Sequence, residues 1–287
     1  MRKWRYILGE IKTIGIIGAG KLGEALIQGF LNAHIERSKI CVFEIDPDRV
    51  KYISEKYNVR CLDSIGTLVK ESDLIIISVK PIDVKSVAKE IGKVITPEKI
   101  VLTFAAATPI KYISRFLPKN VPIVRGMPNL AVSVREGMTA ISYSKSCSDE
   151  HVQAVVKVLS LLGKVVQVDE RYLNVVTALS GSGPAYVALI IDSLADAGVR
   201  FGLSKSISLL MATQTVLGSA KMLLESNQHP ALLRDMVATP AGTTIEALLK
   251  LERGGFRAML VDAITAATEK AEQLERLNLS NKGDEDR

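Results

Sequence analysis

Aromatic side chains are scarce in this chain, at 5% of residues, with a single tryptophan. A surface that stacks nucleobases needs aromatics interleaved with a basic stripe. Here the lysines and arginines behind the net charge of +6 are scattered among acids. Nucleic acid is therefore not an expected partner, and the positive excess suits small anionic ligands. Cysteine is nearly absent: Cys41, Cys61 and Cys147 sit far apart without a CxxC spacing. That excludes a disulfide framework and a zinc site, and points to a reducing cytoplasm. The three histidines, His34, His151 and His229, form no ligand-like pair, so no metal is expected. His229 precedes Pro230 and reads as a turn residue rather than a catalyst. No uninterrupted apolar run approaches the length that spans a bilayer, so no membrane is expected either. Met1-Arg2-Lys3-Trp4-Arg5-Tyr6 lacks the apolar stretch of a signal peptide.

What the chain does have is a strand, a glycine-rich turn and a helix in immediate succession. Met1 to Glu10 form a short extension; Ile11 to Ile17 is an apolar, β-branched run; Gly18-Ala19-Gly20-Lys21-Leu22-Gly23 interrupts it; and Glu24 to Leu31 is helix-like. This is the GxGxxG fingerprint of a dinucleotide site in its confirming context. Gly18 permits the tight turn, Gly20 lets the backbone approach a pyrophosphate, and Gly23 lets the helix pack closely on the strand. The next strand, Ile40 to Glu44, ends in a carboxylate about twenty residues past Gly23, where such sites accept hydrogen bonds from the adenosine ribose. An acid there repels a 2′-phosphate, so Glu44 favours NADH over NADPH. Arg49 and Lys51 are the nearby cations that could compensate. Asp46-Pro47-Asp48 caps the following helix.

The alternation continues through Val59 to Cys61, Asp73 to Val79, Ile100 to Phe104, Val121 to Arg125, Gly137 to Tyr143 and Lys164 to Val168, with a helix from Asp149 to Leu162. The all-apolar Leu74 to Ile77 is typical of a strand covered on both faces of a parallel sheet. About eight strands by residue 168 make a doubly wound, Rossmann-type sheet. Lys80 ends one of them, either beside the nicotinamide end of a cofactor or as a solvated turn lysine.

After about Asp169 the strands stop. Helices are expected over Ala185 to Phe201, Lys205 to Ser226, Ala231 to Val237, Thr244 to Arg253 and Phe256 to Leu277. Their leucines and valines exceed what a lone helical hairpin can bury, so an all-α domain that dimerises is expected. The division falls at residues 1–169 and 170–287, with a disordered tail over 278–287. Within the helical half, Thr239-Pro240-Ala241-Gly242-Thr243-Thr244 breaks the chain just before a helix. The unpaired N–H groups of such a helix start suit a carboxylate or phosphate.

Three segments now fall into order: the GAGKLG loop, the Thr177-Ala178-Leu179-Ser180-Gly181-Ser182-Gly183-Pro184-Ala185-Tyr186 run, and the threonine-rich loop followed by Glu252-Arg253-Gly254-Gly255-Phe256-Arg257. Together they closely resemble the pyrroline-5-carboxylate reductase family, over Ile14 to about Leu274. The resemblance implies hydride transfer from NADPH or NADH to the C=N bond of 1-pyrroline-5-carboxylate, giving L-proline. It implies cofactor contacts at Ile17, Gly18, Ala19, Gly20, Lys21 and Leu22, at Ser78, Val79, Lys80 and Pro81, and at Phe104, Ala105 and Ala106. It implies substrate contacts at Thr239, Gly242, Thr243 and Thr244, with Thr244 near the ring nitrogen as the catalytic position. It also implies homodimers through the C-terminal helices and homodecamers beyond them. Ala241 stands where the family commonly has glycine, and Met236 and Asn227 stand where some relatives carry an asparagine and a glutamate that face the site.

The residues agree with such a reaction independently. An iminium is already electrophilic, the cofactor brings the hydride, and the protein orients the two, so no strong general acid or nucleophile is required. A hydroxyacid dehydrogenase would need a His or Lys base, for which only Lys205 and Lys221 stand in the helical half. A non-catalytic NAD(P) sensor would not need the threonine-rich loop.

Overall fold

β-Branched residues favour extended backbone, and glycine or proline interrupts each run, so the apolar runs of the first half become short strands. A computed structural model describes residues 11–280; the extension Met1 to Glu10 lies outside the described residues. The strands are β1 (Ile14–Ile17), β2 (Ile40–Phe43), β3 (Arg60–Cys61), β4 (Leu74–Ile77), β5 (Ile100–Thr103), β6 (Ile123–Met127), β7 (Gly137–Tyr143) and β8 (Gly163–Gln167). They form one sheet in the order β3-β2-β1-β4-β5-β6-β7-β8. Every neighbouring pair is parallel except β6 with β7. The order reverses between β1 and β4, which opens a crevice at their C-terminal ends.

Several strands are shorter than the apolar runs, for identifiable reasons. Before β1, the N–H groups of Lys12 and Thr13 donate to the Asp73 carboxylate at 2.7 and 3.0 Å instead of to a ladder partner. The run Val121 to Arg125 becomes a strand only from Ile123, because Pro122 has no N–H to offer.

Helices α1 (Lys21–Asn32), α2 (Pro47–Tyr57), α3 (Ile65–Glu71), α4 (Val84–Gly92), α5 (Ile110–Ile113), α6 (Asp149–Ser160) and α7 (Leu173–Val176) accompany the sheet. The strand period of two sorts the core into two layers. Leu74 and Ile76 pack with Leu26, Phe30 and Val155, while Ile75 and Ile77 pack with Leu68, Val84 and Ile91. Asp46 caps α2 as expected, its side chain accepting from the Asp48 and Arg49 N–H groups, and Asn58 ends it in the left-handed region.

The chain then runs through α8 (Gly183–Arg200), α9 (Lys205–Ser226), α10 (Pro230–Val237), α11 (Thr243–Arg253) and α12 (Phe256–Ser280). The expected disorder from Asn278 is corrected at its start: α12 continues to Ser280, and the Asn278 amide donates to the Ala107 carbonyl at 3.2 Å. Residues 281–287 lie outside the described residues.

Two compact units divide the chain. One comprises the chain up to Ser182 together with the segment from Ala267 onward, and the other is Gly183–Ala266. The first unit extends past the compositional change near Asp169 because Leu173 is fully buried against Met127 and Ala140. In the second unit, α8 and α9 pack closely, since a Cβ on Gly198 would come within 2.6 Å of the Ser208 hydroxyl. Little else there is covered: Leu189, Leu210 and Leu224 are 68%, 69% and 72% exposed.

The expectation that nothing reaches bilayer-spanning length is overturned. The helical stretches Glu170–Arg200 and Lys205–Ser226 are long and apolar enough, each with a window of mean hydropathy 1.4. Alanine, serine, threonine and glycine interrupt the leucines without adding charge, so counting uninterrupted apolar runs overlooked them.

Candidate functional site

The reversal in strand order places two loops face to face: Gly18 to Gly23 after β1, and Ser78 to Pro81 after β4. Gly18 adopts φ 91°, a conformation that side chains rarely adopt. A Cβ on Gly23 would lie 2.1 Å from the Gly18 carbonyl oxygen, so α1 starts this close to the loop only with glycine there. Gly20 is different. It is exposed, and a Cβ there would meet nothing within 4 Å. Its surroundings are open, as a backbone that approaches a ligand requires.

A cavity of about 560 Å³ adjoins these loops. Of the expected cofactor positions it is lined by Ile17, Gly18, Gly20, Glu44, Ser78, Val79 and Lys80. Ala19, Lys21, Leu22, Pro81, Phe104, Ala105 and Ala106 do not line it. Phe104 and Ala105 are 4% and 2% exposed, their small-residue strand end being packed rather than open. The Ser78 hydroxyl donates to the Gly18 carbonyl at 2.6 Å and so braces the glycine-rich loop from the β4 side.

Glu44 is held by backbone. Its Oε2 accepts from the Ala19 N–H at 2.6 Å, and its Oε1 accepts from the Ile45 and Asp46 N–H groups at 2.8 and 3.2 Å. The carboxylate thus sits at the cavity wall against the glycine-rich loop, with lone-pair capacity left for another donor. Sequence reasoning missed part of this wall, notably Ile45, Ile65, Asp83 and Val87. Ile45 is 86% exposed at the end of β2, and an exposed isoleucine one residue beyond an expected ribose ligand was the available signal.

Arg49 approaches from α2. Its Nε donates to the Ala19 carbonyl at 2.6 Å, and its Nη2 donates to Glu24. Glu24 also accepts from Tyr52 at 2.9 Å, Tyr57 at 2.8 Å and Lys56 at 2.9 Å. Burial pushes the Glu24 carboxyl pKa up, but hydrogen bonds from Lys56, Arg49, Tyr57 and Tyr52 outweigh it and hold the pKa at about 2.

In the second unit the threonine-rich loop forms a turn, the Gly242 N–H donating to the Thr239 carbonyl at 3.0 Å. The helix begins at Thr243, one residue before the expected Thr244, and the Gly242 N–H is committed to the turn instead of facing a ligand. Ala241, third in this turn, has φ 54°, which favours glycine. A Cβ on Gly242 would lie 2.2 Å from the Thr239 hydroxyl. Gly242 carries no side chain to cap α11, so the first-turn N–H groups from Thr243 onward keep their anion-binding character. His229 caps α10, its Nδ1 accepting from the Ala231 N–H at 3.2 Å, which fits the turn role read from sequence.

One element went unforeseen. Thr177–Gly181, at the start of the Thr177 to Tyr186 run, is a π-helical turn, a rare geometry frequent at functional sites. Among the described residues no group of three His, Cys, Asp or Glu side chains could hold a metal ion.

A family model described as pyrroline-5-carboxylate reductase dimerisation matches residues 170–274. Another, described as NADP oxidoreductase, coenzyme F420-dependent, matches residues 13–107. The pyrroline-5-carboxylate reductase of Methanosarcina acetivorans is 39% identical, covering 92% of this chain and 98% of its own. That of Escherichia coli is 34% identical, covering 92% and 99%. The crystal structure of Plasmodium falciparum pyrroline carboxylate reductase with NADP bound aligns with a TM-score of 0.83 at 29% identity, covering 92% of this chain and 98% of that one.

Proposed function

The chain belongs to the pyrroline-5-carboxylate reductase family, and from that premise we propose which of its residues carry the reaction. The enzyme is an NAD(P)H-dependent oxidoreductase that reduces the C=N bond of 1-pyrroline-5-carboxylate to give L-proline, the last step of proline biosynthesis. We assign residues 1–169 to dinucleotide binding and 170–287 to substrate binding and dimerisation.

The cavity at the β1/β4 crevice fits the nucleotide: open space at Gly20, a positive φ at Gly18 and an acid at its wall. The bound cofactor supplies the hydride. Gly20, the open position of the loop, would approach the pyrophosphate, Gly18 and Ala19 would shape the turn beside it, and Ile17, Lys21 and Leu22 would frame the loop. Glu44 would accept from the ribose hydroxyls and so favour NADH over NADPH. Ser78 braces the loop, while Val79, Lys80 and Pro81 lead from β4 toward the nicotinamide end, as Phe104, Ala105 and Ala106 do from β5.

The observation that carries the substrate assignment is the uncapped first turn of α11. The N–H groups of Thr243 and Thr244 would hold the substrate carboxylate, and Thr239 and Gly242 shape the turn before them. The Thr244 hydroxyl would orient the ring nitrogen, which solvent protonates to the iminium before the neighbouring carbon takes hydride. Charge placement and orientation are then the protein's whole contribution.

The family's dimerisation segment coincides with the exposed leucines of α8 and α9, so the chain forms homo-oligomers. We assign that apolar surface to a second copy rather than to lipid, with a homodimer as the unit, a homodecamer as the higher assembly and the cytoplasm as the location. The deciding experiment follows nicotinamide absorbance with pyrroline-5-carboxylate, NADH and NADPH side by side. Oxidation with an NADH preference supports the reading, and no oxidation of either rejects it. Thr244→Ala should lower kcat/KM by an amount worth about 1–3 kcal/mol; unchanged kcat/KM removes the role assigned to Thr244.

A further inference from the structure

Two cations of α2, Arg49 and Lys56, are turned onto one carboxylate, and Arg49 also lines the cavity. Arg49 donates through Nη2 to Glu24 and through Nε to the Ala19 carbonyl at 2.6 Å, with its guanidinium 4.8 Å above the Tyr52 ring. Lys56 donates to Glu24 at 2.9 Å and to the Tyr52 hydroxyl at 2.6 Å. Both peptide groups that flank the Ala19 Cα are therefore held, the N–H on one side by Glu44 and the carbonyl on the other by Arg49. A 2′-phosphate would need positive charge close to Glu44, and the guanidinium that lines the cavity has its Nε and Nη2 directed to Ala19 and Glu24 instead.

We propose that Glu24 is a positioning residue for nucleotide selectivity: by holding Arg49 on the backbone of the glycine-rich loop, it withholds from a 2′-phosphate an arginine that could neutralise it. The inference rests on the assignment of the nucleotide to this cavity and of Glu44 to the ribose. Discrimination against NADPH then has two parts, repulsion by Glu44 and sequestration of Arg49. Drawing Arg49 away would leave Glu24 ionised with fewer partners, since Lys56, Arg49 and both tyrosines keep its pKa at about 2.

The test compares kcat/KM for NADPH with that for NADH in the wild type and in Glu24→Gln. Glu24→Gln keeps an acceptor but loses the charge that assists the Arg49 bond, and the weakened hold should raise the NADPH/NADH ratio about tenfold, the gain from one charge-assisted hydrogen bond. Adding Arg49→Gln to Glu24→Gln should abolish the gain. An equal fall with both nucleotides, leaving the ratio unchanged, would overturn the inference, because that is all a merely structural role produces. Should Glu24→Gln not fold, Arg49→Gln alone decides through dissociation constants from nicotinamide fluorescence. A sequestered Arg49 leaves the ratio of the two constants within about twofold, whereas a selective loss of NADPH affinity overturns the proposal. The wild-type ratio separately judges the Glu44 reading. A wild type that prefers NADPH, with a ratio that still rises in Glu24→Gln, refutes the Glu44 assignment and keeps that of Glu24.

Discussion

Arg125 on β6 donates through Nη1 to Glu275 on α12 at 3.3 Å, a pairing that brings the chain's last helix back to the sheet. Arg125 is 2% exposed, also bonds Glu170 at 3.1 Å, and has no protein acceptor for Nε or Nη2 among the described residues. Asn174 donates to the same Glu275. A buried guanidinium so short of acceptors tolerates little further loss.

Glu275→Ala should therefore cost about 2–4 kcal/mol, measured by urea unfolding, because it leaves a buried charge less compensated. Glu275→Gln should cost less, since the amide oxygen still accepts. Equal stability of both variants and the wild type would show that water compensates the guanidinium fully.

The glycines of the fingerprint should separate by assay. Gly23→Ala forces a Cβ onto the Gly18 carbonyl oxygen, so both the melting temperature and cofactor affinity should fall, with a stability cost of about 1–3 kcal/mol. Gly20→Ala meets open space and should leave the melting temperature unchanged while raising KM for the nucleotide. A Gly20→Ala enzyme with normal cofactor KM would move the pyrophosphate elsewhere.

Ala241 holds a φ of 54°, in the left-handed region that favours glycine. Relief of left-handed strain and the added freedom of the unfolded chain oppose each other, so Ala241→Gly should stay within about 1 kcal/mol of wild type. Ala241→Val, β-branched at the same φ, should destabilise by more than about 1 kcal/mol and raise KM for pyrroline-5-carboxylate. Thermal melts and steady-state kinetics check both.

Glu24 predicts a pH dependence whose sign is fixed. Its folded pKa of about 2 lies below the ordinary 4.5, so its contribution is complete above that ordinary value and is lost as pH falls toward 2. The stability gap between wild type and Glu24→Gln should be constant near neutrality and shrink on acidification through this window. A gap that does not change with pH would mean that the carboxylate's partners do not favour its charged form.

Local signals made much of this protein legible. Strand-then-GxGxxG-then-helix fixes a turn because the steric demands lie within six residues, and Gly18 and Gly23 behave as that reading requires. The apolar run at Leu74 to Ile77 announced a strand covered on both faces, since only a doubly covered strand can omit polar residues. The Asp46 cap was legible for the same reason, as it acts on backbone within three residues, whereas His229 was legible only as a turn residue and its cap on α10 is a finding of the structure. Long-range pairings were not legible. Nothing near Glu24 says that Arg49, Tyr52, Lys56 and Tyr57 converge on it, and nothing near Glu275 points to Arg125, because those meetings depend on how helices pack on a finished sheet. The φ of Ala241 and the commitment of the Gly242 N–H to its turn were likewise decided by three-dimensional closure of the loop. Local sequence was enough for the order of most elements, the glycine-rich turn and the family. Tertiary structure decided which charges face the ligand and which are engaged by one another, since electrostatic partnership is set by distance in space rather than by separation along the chain.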